Sequence, residues 1–508
     1  MKNLLELNAW QSLNEHFFNI KHLKMKDMFQ YDEGRADKYT YELNNIYFDL
    51  SKNRINFDTF SYFVDLSKSL KFHNRIPELF NGEKVNNTED RAALHTALRA
   101  YDNILFDEIA NERTAFLQRA EDIISDDNIQ HIVQLGIGGS YIGPKMVNEA
   151  LYNFSNQRFT IDYIANTDDT DFEKVFSKIE ISKTIFIVAS KSLSTSETQY
   201  NLNKVLDKVG ISQPNNQFIC LTASPDRALE IGFTKNNILT FCSSIGGRYS
   251  LWSSIGFTIA LNIGKENFEE LLKGAEIADK HFSETEDYFQ NIPFLLAYIN
   301  VWYRNFFDLR AKANIPYSDA LKYLPEYLQQ LEMESLGKII DKQGNKVKYA
   351  TGGTLFGNIG TNCQHSFFQM LHQGVDIIPV DFIAIADSDI RLLANCFAQS
   401  RALMMGQDLS EVDEDEVTGY NTHKFFPGNI PSNTIMFDKL TPSTLGTFLA
   451  IQEHKVFVQS VIWNINPFDQ FGVELGKTIA KDIEQSIISE DNHFDSSTNS
   501  LISRVNHK

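Results

Sequence analysis

Apolar and polar positions divide the chain into a helical opening and two runs of alternating strands and helices. Residues 1–115 are mostly helical in pattern, broken by polar clusters such as Asp32-Glu33-Gly34-Arg35 and Asn81-Gly82-Glu83. The polar run Asn86 to Asp90 ahead of RAALHTALRAYDNILFDEIA predicts a capped helix from residue 91, with His95 inside it as a structural residue. From 131 the pattern changes to short strand-like runs, HIVQL, FTIDYIA, TIFIVA, QFICL and ILTF, separated by amphipathic segments. That alternation predicts βαβ units and a parallel sheet covered on both faces, over residues 116–265. The charged stretch KENFEELLKGAEIADKHFSETED then predicts a connector. A second alternation (AKANIP, GGTLFG, VDIIPVDFIAIA, NTIMFD) predicts a second α/β domain over 266–485, and 486–508 is left as a polar, loosely held tail. The expected fold class is α/β, with two doubly wound parallel sheets behind a helical N-terminal segment.

Ligands of such sheets bind where strands end and helices begin, beside the switch in strand order. Two loops fall at such ends. Thr184 to Tyr200 passes from a strand into Ser190, Lys191, Ser192, Ser194 and Thr195, and Glu197 stands at the start of the next helix. Backbone N–H groups, hydroxyls and one cation there suit a phosphate group. Ser194 and Glu197 also have capping-box spacing, so the same residues are open to a purely structural reading. The other loop, Gly136-Ile137-Gly138-Gly139-Ser140, lacks the third glycine of a dinucleotide fingerprint because Tyr141 occupies that place. Its glycines instead allow close approach to a small ligand. Arg248, after Gly246-Gly247 and ahead of an apolar helix, could stabilise a developing oxyanion or lie on the surface beside a turn. PEYLQQLEMESLGKII reads as a helix carrying Glu326, Glu332 and Glu334, and periodicity does not choose among them. GTNCQHSFFQMLHQG places His365 and His372 on one helical face, and NPFDQFGVELGKTIAKDIEQSI is a helix holding Lys477.

A formal net charge of −19 argues against nucleic acid or an anionic membrane as partner, so an anionic substrate needs local cations. The four cysteines are far apart and in no metal-ligand spacing. They point to a reducing compartment, with the cytoplasm as the expected location. No stretch reaches the roughly 18 apolar residues of a membrane span. Neither a metal nor a redox cofactor is expected.

The stretches NNTEDRAALHTALR, GIGGSYIGP, VASKSLSTSET, GGRYSLWSSIG, MESLGK, GTNCQHSFFQMLHQG, KLTPSTLGTFLAIQEHKVFVQ and NPFDQFGVELGK run in one order from about residue 87 to 477. Together they resemble the glucose-6-phosphate isomerase family. The resemblance implies two flavodoxin-like sugar-isomerase domains and conversion of glucose 6-phosphate to fructose 6-phosphate without a cofactor. It also implies a homodimer in which His365 reaches into the partner's site. By the same resemblance Gly139, Ser140, Ser190, Lys191, Ser192 and Thr195 bind the sugar phosphate, and Gln330 contacts substrate. Glu334 matches the base between C2 and C1, Arg248 the cation beside the enediolate, and His365 and Lys477 the ring-opening acid–base groups. Leu336 stands where the family usually has asparagine, a change expected beside the base. A non-catalytic sugar-phosphate regulator and a nicotinamide-dependent dehydrogenase are the competing readings.

Overall fold

The computed structural model describes residues 4–100, 106–407, 421–489 and 493–506. Met1–Pro467 forms one compact unit and Phe468–Lys508 another. The first unit contains two sheets. Strands β1 (Thr40–Leu43) and β2 (Ile46–Asp49) form an antiparallel hairpin through Asn44 and Asn45, both at positive φ. Asparagine tolerates that backbone region better than most residues.

One sheet is built from β3 (His131–Leu135), β4 (Thr160–Ile164), β5 (Thr184–Ala189), β6 (Phe218–Thr222) and β7 (Ile238–Thr240), all parallel. Their order is β4-β3-β5-β6-β7, so the chain reverses direction across the sheet between β3 and β5. β5 is buried along its whole length, as its unbroken apolar run predicts for a central strand covered on both faces. The other sheet has β8 (Ala311–Pro316), β9 (Thr354–Gly357), β10 (Val380–Ile385) and β11 (Ser432–Phe437) in parallel. β2 pairs antiparallel to β11, so the N-terminal hairpin extends that sheet to the order β1-β2-β11-β10-β8-β9. The expectation of a purely parallel second sheet and a purely helical N-terminal segment is corrected here. The hairpin is short, and its alternation is too brief to stand out from helical neighbours.

A second correction concerns the helix expected from residue 91. Residues 91–96 run without regular helix, only Ala97–Arg99 forms a tight turn, and the next helix starts at Asp107. Tertiary demand overrides local propensity here. The Arg99 guanidinium is withdrawn into the core, where Nε and Nη2 donate to Asp279 at 2.7 and 2.6 Å and Nη1 donates to Glu453. His454 Nε2 meets Asp279 at 2.6 Å and Trp252 Nε1 donates to Glu453 at 2.8 Å, so the buried charges are partnered.

That network joins the two longest helices. Phe257–Glu284 absorbs the charged stretch expected as a connector and kinks at Gly264, whose φ is 80°. Pro442–Ile462 starts with a Thr441–Thr444 capping box and is buried on every side. The two touch backbone to backbone, since a Cβ on Gly446 would lie 2.0 Å from the Leu271 carbonyl oxygen. In the C-terminal unit Glu474–Ser489 is helical, and Ser496–Asn506 forms a further helix where a loose tail was expected. No helix among the described residues is long and apolar enough to cross a membrane.

His281, near the end of the first long helix, accepts the Ile292 backbone N–H on Nε2 at 3.0 Å. Burial, aided by the nearby His454, lowers its pKa from 6.5 to about 4. Between those values the unfolded chain binds a proton that the folded chain does not. This contribution to stability is therefore complete above pH 6.5 and is lost progressively as pH falls toward about 4. His281→Gln is expected to flatten that part of the profile, as measured by urea unfolding at about pH 5 and about pH 7.5.

Candidate active site

The loops after β3 and β5 lie side by side at the carboxyl ends of the two strands that flank the reversal in strand order. Their fit is tight. A Cβ on Gly136 would fall 2.7 Å from the Ser140 carbonyl oxygen and 3.0 Å from that of Ala189. Gln134 Nε2, from within β3, donates to the same Ser140 carbonyl at 2.7 Å.

In the second loop Ser190 turns inward. Its hydroxyl accepts the Leu193 N–H at 3.1 Å and lies 3.4 Å from the Thr195 hydroxyl. Leu193 takes positive φ and is buried, which turns its neighbours Ser192 and Ser194 outward, where both are exposed. Thr195 precedes the helix Ser196–Val209 without capping it through its side chain. The capping box of Ser194 and Glu197 is not formed; Glu197 accepts from Ser196 instead. Hydroxyls and helix-start amides are thus left for a ligand. Burial lowers the Lys191 pKa, and Arg91 nearby lowers it further against the pull of Glu89. Two cations crowded together in this way favour an anion between or beside them.

The chemistry-bearing residues gather on three turns. Gly138 sits at φ 60°, and a Cβ there would lie 3.2 Å from Gln330 Nε2. Gly139 presses on the turn Gly247–Trp252, where a Cβ would fall 2.0 Å from the Gly247 carbonyl oxygen. Arg248 follows. It is buried, which excludes the surface reading, and its Nη1 lies 3.4 Å from Glu334 Oε2. Its Nε donates to the Ser335 hydroxyl at 2.6 Å and its Nη2 to the Pro467 carbonyl. Glu334 ends a wide, π-type turn, Gln330–Glu334, that follows the helix Leu324–Gln329. Single π turns recur at functional sites. Gln330 Nε2 donates to Glu334 Oε2 at 3.1 Å, so amide and carboxylate present one face. The Glu334 side chain keeps 22% of its surface exposed against 1% for Arg248: one is reachable, the other fixed.

Of the three glutamates that periodicity left equal, the structure separates Glu334 from Glu332, which is buried on the opposite side of the turn against Lys455. Leu336 is buried too and borders the same cavity as Glu332 and Gly352. The single helix expected over 360–374 is broken into Gly360–Gln364 and Phe368–Gln373, with His365 exposed at the break. His365 forms no hydrogen bond to Glu334 or Arg248 among the described residues. His372 bonds Gln399 at 2.8 Å and packs on Phe426, a structural role. Lys477 is exposed on the helix Glu474–Ser489, which begins well after Asn466-Pro467 rather than at it.

Sequence reasoning missed the residues that hold Arg248. Ser335 is fully buried, and Tyr249 Oη reaches its hydroxyl at 3.0 Å and the Pro467 carbonyl at 3.5 Å. Tyr249 in turn packs on His95, their ring centres 4.8 Å apart. Burial, with Arg99 nearby, keeps His95 well below its ordinary pKa and so uncharged. The small residues of MESLGK carried no signal for this beyond their proximity to Glu334.

Fold and site together define a two-sheet α/β enzyme of the isomerase class. The Phosphoglucose isomerase family description matches residues 49–502. A glucose-6-phosphate isomerase of Burkholderia lata is 42% identical over 533 residues, covering 99% of this chain and 98% of that protein. One from Chlorobium luteolum is 41% identical, covering 97% and 96%. A crystal structure of a glucose-6-phosphate isomerase from Chlamydia trachomatis matches with a TM-score of 0.87 at 30% identity, over 99% of both chains. The chain belongs to the phosphoglucose isomerase family.

Ser335→Ala strips Arg248 Nε of its acceptor inside the core. The expected cost is about 1–3 kcal/mol of stability together with a fall in kcat/KM. Tyr249→Phe leaves the Ser335–Arg248 bond in place and is expected to cost less on both counts. Denaturant unfolding and steady-state kinetics on the two variants check the order.

Proposed function

We propose that the enzyme interconverts glucose 6-phosphate and fructose 6-phosphate, an aldose–ketose isomerisation serving glycolysis and gluconeogenesis. The observation that carries this reading is the reachable Glu334 carboxylate held 3.4 Å from the buried Arg248 guanidinium. The close relatives named as glucose-6-phosphate isomerases supply the substrate.

The reaction opens the sugar ring, then moves a proton from C2 to C1. Glu334 removes the C2 proton, and the electron pair left behind forms the C1–C2 double bond of a cis-enediolate, with charge passing to O1. Glu334 returns the proton to C1 as the carbonyl forms at C2. A positioned general base is worth about 10²–10⁴-fold. The carbon acid is too weak for the base alone, so the developing oxyanion needs a cation that does not reorganise. A single such contact is typically worth about 3–4 kcal/mol. Arg248 has the charge and the burial for that task. Gln330 contacts substrate beside the base, and Gly139, Ser140, Ser190, Lys191, Ser192 and Thr195 hold the phosphate. The phosphate supplies remote binding energy that fixes C1 and C2 over the carboxylate.

The family resemblance assigns ring opening to His365 and Lys477, with the imidazole apt near neutral pH. We assign His365 to the site of a second copy in a homodimer, because it is exposed and has no bond to Arg248 or Glu334 in its own chain. Four free cysteines suit a reducing, cytoplasmic setting.

Glu334→Gln is expected to retain sugar-phosphate binding and lose isomerisation by at least about a hundredfold. A coupled assay converting fructose 6-phosphate checks it, and turnover near the wild-type rate would remove Glu334 as base. The same assay on the wild type separates the enzyme from a binding-only regulator. Co-refolding Glu334→Gln with His365→Ala tests the shared site: mixed dimers would carry one intact site, restoring about a quarter of wild-type activity. Separate, self-contained sites would restore none.

A further inference from the structure

The turn that carries Glu334 has a second, inward side. Gln330 and Glu334 are bonded to each other on one side, while Glu332, between them in sequence, points into the core. There Glu332 Oε1 accepts from Lys455 Nζ at 2.5 Å, and Lys455 also donates to Gln452. Lys455 is 1% exposed and lies in the middle of Pro442–Ile462, a helix buried on all sides. Lysine is among the residues least often fully buried. A buried ion pair is weak evidence for stability, since apolar side chains of similar size often serve as well. Its best-attested use is to fix register.

Register is what this turn has at stake. A π turn carries one residue more than the α-helical turn it replaces. Relaxing to ordinary helix would rotate the following residue by about 100°. Glu334 would then leave both Gln330 and Arg248. A cavity of about 60 Å³, bordered by Glu332, Leu336, Gly352 and Trp463, lies on the inward side and gives the turn room to move. The neighbouring Lys312–Asp381 pair, 2.6 Å apart, is already satisfied and offers Glu332 no second partner.

We propose that Lys455 is a positioning residue: its buried ion pair with Glu332 holds the turn Gln330–Glu334 in the register that presents Gln330 and Glu334 together beside Arg248. The catalytic consequence rests on Glu334 acting as the base. The structural consequence does not.

The test uses the full-length protein with Lys455→Met, and with Lys455→Met combined with Glu332→Leu. Lys455→Met strands a buried carboxylate and is expected to lower the thermal midpoint. It also lowers kcat at least about tenfold while KM stays within about twofold, because the phosphate loop is untouched. The double variant removes the stranded charge and recovers the thermal midpoint. Its kcat stays depressed, and amide exchange across Gln330–Gly337 stays faster than wild type while Pro442–Ile462 remains protected. Recovery of kcat together with stability, or wild-type exchange across the turn in the double variant, would overturn the proposal by making the pair ordinary core packing. If Lys455→Met does not fold, the double variant alone decides. Absence of turnover in the wild type would defeat the isomerase reading, and the exchange comparison would still decide whether the pair sets the register.

Discussion

A guanidinium with almost no water around it stays folded only if protein atoms take over its hydration. For Arg248 those atoms come from Glu334, Ser335 and Pro467, three positions spread over more than half of the unit that contains them. Withdrawing one partner from a buried charge of this kind typically costs about 3–5 kcal/mol. The demand therefore ties the turn after β7, the turn after β8 and the segment after the last long helix into one rigid point. Gly139, pressed against Gly247, adds the loop after β3 to the same point.

The two sheets divide the work. At the reversal of the first sheet, loops of hydroxyls, glycines and one partly buried lysine are suited to an anion, and nothing there can abstract a proton from carbon. Between β8 and β9 of the second sheet the chain supplies a carboxylate and an amide. A sugar phosphate is long enough to use both ends. This separation lets binding energy at the phosphate be applied to orientation at C1 and C2. The rigid Arg248 clamp gives that orientation a fixed reference, which a surface arginine with free rotamers would not.

Much of this was legible in sequence, and the failures have physical causes. Nine strand-like runs became β3 to β11 within a residue or a few, because a buried parallel strand must be apolar on both faces and is short. The hairpin β1–β2 was hidden, since two strands of four residues carry too little alternation to be told from a helix. The segment from 91 looked helical by propensity, yet Arg99 must reach Asp279 and Glu453, and a helix would not deliver it there. The split of 360–374 at His365 and the extra helix Ser496–Asn506 likewise followed no periodic signal. The capping-box reading of Ser194 and Glu197 was chemically sound, and the fold simply places the helix start one residue later.

By itself the amino-acid order determined the α/β class, the positions of both anion-suited loops, and a short list of groups able to do acid–base chemistry. Those are local matters, set by residue type and spacing. Tertiary structure alone decided which glutamate faces Arg248, that Ser335 and Tyr249 hold the guanidinium, and that Glu332 is turned inward onto Lys455. A π turn adds one residue to a helix and exchanges its two faces, and no pattern along the chain records which face the core will take.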